Sequence, residues 1–322
     1  MILESVTIVE IKPSAPFHFD TTFHKPAHFT SGDNYWESGI RWQTFRFLGK
    51  YLGVIFRNTG SVEIPKIEVE IYSSRPLAND LVAEFIQEIQ YRYNLNFDLN
   101  HFYQHFASDT KVGPVIKKMR GLRPGHQDSL YEYLIIGIVL QNCTVRRSIQ
   151  MMQILFEHYG TLLEFAGKQF WCFWDLGDLK TVPEAELRSL KLGYRAKSIK
   201  KTDDSFAKGV VNENELRQQD LDTQKTKLLN LYGIGPATVG YLLFDVFHHW
   251  DYLDHISPWE QKIYSKLIFD QDPNHPVTVR KLFSYFNRFG PYKQLVIHYL
   301  WEDLWWQRKN QPIPWLEKLI RA

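Results

Sequence analysis

Residues 228–244 read LLNLYGIGPATVGYLLF, and this stretch constrains the fold more than any other. A helix must end, turn through Gly233-Ile234-Gly235 and begin again at Pro236. Glycine permits a tight turn, and proline suits the first helical position because its missing N–H would have had no intrahelical acceptor. The backbone N–H groups that begin the second helix can then face a phosphate oxygen. The stretch predicts a sequence-independent phosphate clamp or, alternatively, an ordinary helical corner packed through its leucines.

Strand patterns precede this hairpin. The segments SVTIVEI, RWQTFRF, YLGVIFRN and KIEVEIYS alternate apolar or aromatic residues with polar ones, as burial of one face of a sheet requires. From Asn79 onwards the period changes, because apolar residues such as Phe85 and Ile89 recur every four positions. The sequence predicts an α+β fold. An N-terminal antiparallel sheet with flanking helices is expected in residues 1–105, and a mostly α-helical body in residues 106–322.

Two helices of this body have recognisable limits. The segment LYEYLIIGIVL (130–140) is apolar on nearly all faces, which predicts a central buried helix. Thr144 can cap the next helix, and Gly160 stands where a C-terminal cap belongs. No repeat or low-complexity linker separates these elements, so we expect the modules to pack on one another.

Composition limits the setting of the protein but does not reveal its partner. Two cysteines in 322 residues exclude a disulfide framework, the N-terminus lacks a signal-peptide pattern, and the longest apolar run is too short to span a bilayer. We therefore expect a soluble, intracellular protein of the cytoplasm or nucleoid. The net charge of +2 does not indicate a nucleic-acid binder, so any DNA surface must be local. Two basic stretches could supply it, KKMRGLR (117–123) and LKLGYRAKSIKK (190–201).

Several segments follow one another in a recognisable order after the strand-rich start. They are FDLNHFYQHFASD, KMRGLRPGHQDSLYEYLIIGIVLQNCTVRRS, LKLGYRAKSIK, LYGIGPATVGYLL and RFGPYKQLVIHYLWEDLWW. In this order the chain resembles the helix-hairpin-helix-GPD superfamily of DNA glycosylases, and most closely the branch with 3-methyladenine DNA glycosylase II and 8-oxoguanine DNA glycosylase. The resemblance implies a cleft between two helical subdomains, with the hairpin at its lip and the sheet beside them. It also implies a base-excision repair enzyme that flips a damaged base out of double-stranded DNA and hydrolyses its N-glycosidic bond.

The resemblance assigns residues to the DNA interface. Gln141 and Asn142 match paired polar residues that approach the gap left by the flipped nucleotide, although the same residues could simply cap the end of the buried helix. The hairpin matches the element that binds the DNA backbone. The DNA-binding residues implied in this way are Gly233, Ile234, Gly235, Ala237, Thr238, Gln141 and Asn142.

Base removal needs a carboxylate near the anomeric carbon, because an oxocarbenium-like charge must be stabilised and a water oriented or deprotonated. The family places an Asp beyond the hairpin, and we assign Asp254 to this role, with Asp251 and Glu260 as alternatives. The run from Ser257 to Glu260 has capping-box spacing, which gives Glu260 a structural role. Alignment on the following helix instead places Ser257 at the family's catalytic position, and a serine cannot supply the charge.

Other positions narrow the reaction. Family members that also cut the DNA backbone use a Lys two residues after the second hairpin glycine, where this chain has Ala237, so we expect no lyase activity. An aromatic pocket would suit an alkylated or oxidised purine, and Trp171, Trp174 and His255 are the candidates for it. We expect a monomer without a catalytic metal or other cofactor, which leaves room only for a structural monovalent cation at the hairpin.

Two other functions compete with this one. A non-catalytic lesion-sensing or architectural DNA-binding protein would retain the hairpin without a carboxylate, and Ser257 favours it. A protein-interaction module on the same scaffold is disfavoured, because both hairpin glycines are present and basic residues lie just upstream.

Overall fold

The N-terminal part of the chain is a five-stranded antiparallel sheet. A computed structural model describes residues 1–28 and 32–321. The strands are β1 (Ser5–Ile11), β2 (Asn34–Glu37), β3 (Ile40–Phe47), β4 (Lys50–Asn58) and β5 (Ile67–Ser73). Their order is β1-β5-β4-β3-β2, and the register aligns Val9 with Val69 and Val54 with Ile71. Alternate residues therefore reach one core, as the alternating pattern predicted. The opposite face was expected to be open but is also buried at its centre, where Trp42 and Ile55 pack against residues 163–172.

Two helices flank this sheet, α1 (Phe19–Phe23) and α2 (Asn79–Arg92). Phe85 and Ile89 of α2 are buried with Phe56 and Val69 of the sheet. Each such side chain contributes about 1.5–3 kcal/mol on full burial. The change from a two-residue to a four-residue period at Asn79 thus marks the start of α2, as predicted.

The remainder of the described chain is mostly helical. Short 3-10 turns lie at Asp178–Lys180 and Gly290–Tyr292, and a π-turn lies at Arg188–Leu192. The helices are α3 (Asn100–Phe106), α4 (Gly113–Lys118), α5 (Leu130–Leu140), α6 (Val145–Tyr159), α7 (Glu184–Leu187), α8 (Arg195–Ala207), α9 (Glu213–Leu216), α10 (Leu221–Leu229), α11 (Pro236–Asp245), α12 (Pro258–Phe269), α13 (Val279–Asn287), α14 (Lys293–Asn310) and α15 (Pro314–Arg321).

The helical body has two hydrophobic cores. Helix α5 runs through the first, where Leu134 and Ile138 are completely buried against α6, α8, α10 and α11. The second core joins α3 and α4 to α12, α13 and α14. The α+β class with a two-part helical body is confirmed. Helix α3 spans the domain boundary predicted after residue 105 and packs with the helical body. The position of that boundary stays a prediction.

One β-hairpin interrupts the helices, and the sequence patterns did not predict it. Strand β6 (Thr161–Phe165) pairs with β7 (Lys168–Cys172) through a turn in which Ala166 and Gly167 both have positive φ, +47° and +72°. This is the geometry that suits a two-residue hairpin. The hairpin packs against the N-terminal sheet, where Thr44 Oγ1 donates to the Trp171 carbonyl oxygen at 2.7 Å. Two short strands with few β-branched residues leave only the Ala-Gly turn as a signal.

Basic residues of the stretch 117–123 make contacts within the protein. Arg123 is fully buried and its guanidinium donates to the carbonyl oxygens of Phe97, Ser14 and Pro16. Lys118 pairs with Asp303. The stretch therefore joins the N-terminal segment to the helices. Among the described residues, no helix has both the length and the apolar character that a membrane span needs.

Candidate active site

The turn between α10 and α11 has the conformation that its sequence predicts. Gly233 has φ +81°, and a Cβ there would lie 2.5 Å from Ser198 Oγ, so any side chain at this position would be strained and crowded. Gly235 is the N-cap of α11, Pro236 occupies its first turn, and Ile234 is buried below them. A Cβ on Gly235 would meet nothing within 4 Å, which leaves the start of α11 open to an approaching backbone. Ala237 is exposed and Thr238 half-buried in this first turn.

Gln141 and Asn142 lie beside this turn. Gln141 ends α5, and its Nε2 donates to the Gly233 carbonyl oxygen at 2.7 Å. Asn142 follows with φ +46°, a conformation that Asn tolerates better than most residues. The structure thus brings the two predicted groups of DNA-binding residues together. We call this surface the lip: the turn 233–236 with Gln141 and Asn142.

A tyrosine and an arginine also border the lip, and the sequence analysis did not identify them. Tyr194 is exposed, and Asn142 Nδ2 donates to its hydroxyl at 3.5 Å. Arg195 donates to the Gln141 carbonyl oxygen. Both residues belong to the basic stretch 190–201, in which a tyrosine next to an arginine was the available signal. They extend the lip away from the hairpin.

The same stretch carries positive charge to the lip. Lys197 and Lys201 lie on α8, and each Nζ is 5.0 Å from the ring centroid of Tyr232, which is exposed just before Gly233. A cation–π contact positions an ammonium group without neutralising its charge, as an ion pair with a carboxylate would. Of the two basic stretches, this one supplies cations next to the lip.

A cavity lies behind the lip, where α11 faces α12 and α14. It is bordered on one side by Ala237, Gly240 and Tyr241 of α11, and on the other by residues between α11 and α12. The helices that enclose it belong to the two different cores of the body. The residues that complete the lining are Tyr252, Leu253, Asp254, His255, Ile256, Glu260, Tyr264, Gln294 and Ile297.

Two carboxylates line this cavity, and they are bound differently. Glu260 Oε2 accepts from the Ser257 backbone N–H at 2.8 Å, and Glu260 Oε1 accepts from the Tyr241 hydroxyl at 2.9 Å. The side chain of Ser257 in turn accepts from the Glu260 N–H, so the predicted capping box is present. Both oxygens of Glu260 are therefore engaged in holding the start of α12.

Asp254 is bound through one oxygen only. Lys225 Nζ donates to Oδ2 at 2.9 Å, and the Tyr252 hydroxyl donates to the same atom. Within the described residues, no hydrogen-bond partner contacts Oδ1. Partial burial alone would raise the pKa of Asp254, but the hydrogen bonds from Lys225 and Tyr252 outweigh it and hold the pKa below its ordinary value. The group is an ionised carboxylate with one free oxygen beside the cavity.

Comparison with known proteins finds similar DNA glycosylases. No family model matches the chain. A DNA-3-methyladenine glycosylase of Bacillus subtilis (strain 168) is 24% identical over 176 residues, which are 53% of this chain and 56% of that protein. A probable N-glycosylase/DNA lyase of Methanothermobacter thermautotrophicus is 27% identical over 198 residues, 55% of this chain and 62% of that protein. The chain thus matches little more than half the length of these relatives.

Solved structures extend the likeness to nearly the whole chain. A structure of MBOgg1 in complex with a low-affinity DNA ligand has a TM-score of 0.71 at 19% identity, and covers 96% of this chain and 98% of that one. The 3-methyladenine DNA glycosylase from Archaeoglobus fulgidus has a TM-score of 0.69 at 16% identity, and covers 91% and 97%. The predicted resemblance to the helix-hairpin-helix-GPD glycosylases is confirmed. The shared fold includes the N-terminal sheet.

Of the remaining candidate residues from the glycosylase resemblance, some line the cavity and others lie elsewhere. His255 lines the cavity and is exposed. Asp251 is exposed and is not among the lining residues. Trp174 is buried in the first core, where its Nε1 donates to the Tyr131 hydroxyl at 2.7 Å, and Trp171 lies on β7. Neither tryptophan is among the residues that line the cavity, because Trp174 is packed inside the first core and Trp171 lies against it.

Proposed function

We propose that this protein is a monofunctional DNA glycosylase, which flips a damaged purine from duplex DNA and uses Asp254 to hydrolyse its N-glycosidic bond. One observation carries the proposal. Helix α11 presents its N-terminus at the lip and its next turn to the cavity, where Asp254 has a free oxygen. A phosphate bound at the lip would therefore hold the nucleotide next to a carboxylate.

The chemistry needs little beyond these groups. The C1′–N bond breaks and its electron pair leaves with the base, while the Asp254 carboxylate stabilises the positive charge on the sugar. A water oxygen then forms the new bond to C1′, and Asp254 Oδ1 accepts the water proton. A cationic alkylated base leaves as a neutral molecule, so this proton passes on to solvent; a base that was uncharged in the DNA leaves as an anion and takes up a proton. The products are a free base and an intact abasic site.

The cavity lining supports the proposal that this protein removes the base without cutting the strand. Lyase chemistry requires an amine that attacks C1′ and forms a Schiff base. Ala237 occupies the lining position on α11, and the lining residues of the described chain include no lysine. Some relatives are named as lyases, so this part of the proposal depends on Ala237 and not on the family likeness.

The lining also favours one lesion class. Tyr241, Tyr252 and Tyr264 border the cavity together with the carboxylates of Asp254 and Glu260. Aromatic faces and negative charge attract a cation, and an N-alkylated purine carries a positive charge that an oxidised purine lacks. We therefore place alkylated purines ahead of oxidised ones.

Direct assay of base release tests the proposal. The full chain is incubated with duplexes that carry uracil, hypoxanthine, 8-oxoguanine or an alkylated purine, and alkali then cleaves any abasic site. We expect alkali-dependent cleavage that is strongest with the alkylated purine, and no covalent adduct after borohydride. Release from 8-oxoguanine alone would reverse the lesion assignment, and no release from any duplex would reject the enzyme.

A second function is favoured by Ser257. This residue is the N-cap of α12, where its hydroxyl accepts from the Glu260 N–H, and it carries no charge that could stabilise the sugar cation. A lesion-sensing or architectural DNA-binding protein would keep the lip and use the cavity only to hold a base. Tight, lesion-dependent binding without abasic sites would identify this function.

A further inference from the structure

Asp254 is held by a side chain from α10, the first helix of the hairpin. Lys225 lies on α10, and its Nζ is 2.9 Å from Asp254 Oδ2 and 5.2 Å from the ring centroid of Tyr252. We propose that Lys225 is a positioning residue for hydrolysis, which fixes Asp254 through Oδ2 so that Oδ1 faces the attacking water. The inference rests on the proposed function and goes beyond it, because Lys225 itself is not among the residues that line the cavity.

The place of Asp254 in the fold explains why it needs such a partner. It lies in the irregular segment between α11 and α12, and its side chain is 40% exposed. A carboxylate at that exposure would sample several rotamers, and catalysis at C1′ requires one. An exposed ion pair adds little to stability, so the main consequence of the Lys225 contact is the geometry it imposes.

The amine does not act as a nucleophile in this arrangement. The hydrogen bonds to Asp254 and Tyr252 raise the pKa of Lys225 above its ordinary value, so the group is an ammonium at neutral pH. An ammonium ion has no free electron pair with which to attack C1′. Arginine can replace an ammonium as an ion-pair donor but cannot form a Schiff base, which separates the two roles experimentally.

Removal of Lys225 also changes the pH dependence in a defined direction. Asp254 must be ionised to accept a proton, and without the cation its pKa rises. The acidic limb of the rate profile then moves to higher pH. The other titratable or charged groups that face this carboxylate are Tyr252 and His255 from its own segment, Tyr241 from α11 and Glu260 from α12.

Three variants of the full chain test the inference in single-turnover base release from the duplex that the wild type cleaves best. For Lys225→Met we expect a rate at least roughly tenfold lower, an unchanged Kd for DNA, and an acidic limb at higher pH. Lys225→Arg should recover most of the rate and the position of the limb. Lys266→Met is the matched control, because Lys266 forms a similar ion pair with Asp270 on α12 at 2.5 Å, away from the cavity lining.

Each contrary outcome has a distinct meaning. A Lys225→Met variant with the wild-type rate and pH profile overturns the positioning role while the glycosylase proposal stands. Loss of rate in Lys225→Arg together with a borohydride adduct in the wild type overturns it in favour of a lysine nucleophile. A wild-type protein that releases no base overturns both proposals. Equal loss in Lys225→Met and Lys266→Met would show a general effect on folding and also overturns the specific role.

Discussion

The lip and the cavity share helix α11, yet they depend on the sequence in different ways. The lip is a backbone structure, set by Gly233 at positive φ and by the open N-cap at Gly235. The cavity is a side-chain structure, in which Lys225 reaches Asp254 29 residues later and Tyr241 reaches Glu260 19 residues later. A local backbone motif stays recognisable in a diverged sequence, whereas a pair of distant side chains can occupy new positions.

The largest expected effect is a loss of base release when the cavity residue Asp254 is changed and the lip is left intact. Asp254→Asn keeps the size of the side chain and removes its charge, so we expect base release to fall on the order of 10²-fold or more while DNA binding persists. Single-turnover kinetics and a binding titration on one lesion duplex measure both quantities. Base release at the wild-type rate would move the catalytic role to another carboxylate, with Glu260→Gln as the next variant.

The converse experiment alters the lip and spares the cavity. Gly235→Ala adds a methyl group that meets no protein atom within 4 Å, so the fold should be unchanged. The methyl group blocks phosphate approach, and we expect DNA affinity to fall by about 1.5–3 kcal/mol, the usual size of a charge-assisted hydrogen bond. Thermal unfolding and DNA titration are compared for this variant.

Gly233→Ala is the matched control for that variant, because it also adds one methyl group to the turn. Here the methyl would lie 2.5 Å from Ser198 Oγ at a φ of +81°, so the free energy of unfolding should fall by about 1–2 kcal/mol or more. Equal thermal stability of the two variants would contradict the assigned turn geometry.

Ser257→Ala tests whether Ser257 has only a structural role as the N-cap of α12. Loss of the N-cap should lower the free energy of unfolding by about 1 kcal/mol, with base release per folded molecule unchanged. Urea unfolding and single-turnover kinetics on the same sample measure the two quantities. A large loss of rate with normal stability would place Ser257 in the chemistry.

The smallest expected effect concerns charge at the lip. Affinity for DNA falls with salt, and in Lys201→Gln the slope of log affinity against log salt should be less steep by about 0.9, because one phosphate contact is lost. The kcat should be unchanged. Lys208→Gln is the control, since Lys208 follows the same helix and lies 3.7 Å from Asp204. Identical slopes for the two variants would remove Lys201 from the DNA interface.

Local patterns predicted most of the fold. Helix α6 begins after Thr144 and ends at Gly160, and the capping box at Ser257 and Glu260 is present, because each depends on contacts within a few residues. The β6–β7 hairpin was missed, and with it the true setting of Trp171. Its strands are stabilised by packing on the N-terminal sheet, which a local pattern cannot show.

The candidate site was predicted less completely for the same reason. The hairpin and Gln141 were identified separately, but their hydrogen bond depends on how α5 and α11 cross. Lys225 and Tyr194 carried no distinctive spacing, and their significance appears only when tertiary structure brings them to Asp254 and Asn142. The roles of Asp254 and the lip residues stay predictions until they are measured.

Arg123 has a consequence for how this protein can change. Its guanidinium is enclosed by carbonyl oxygens from Ser14, Pro16 and Phe97, and a cation deprived of such partners in a dry interior is costly. A shortened descendant without the N-terminal segment would have to replace Arg123 as well. The N-terminal segment and the helices are therefore constrained to evolve together, because loss of residues 14–16 would remove two of the three backbone acceptors of Arg123.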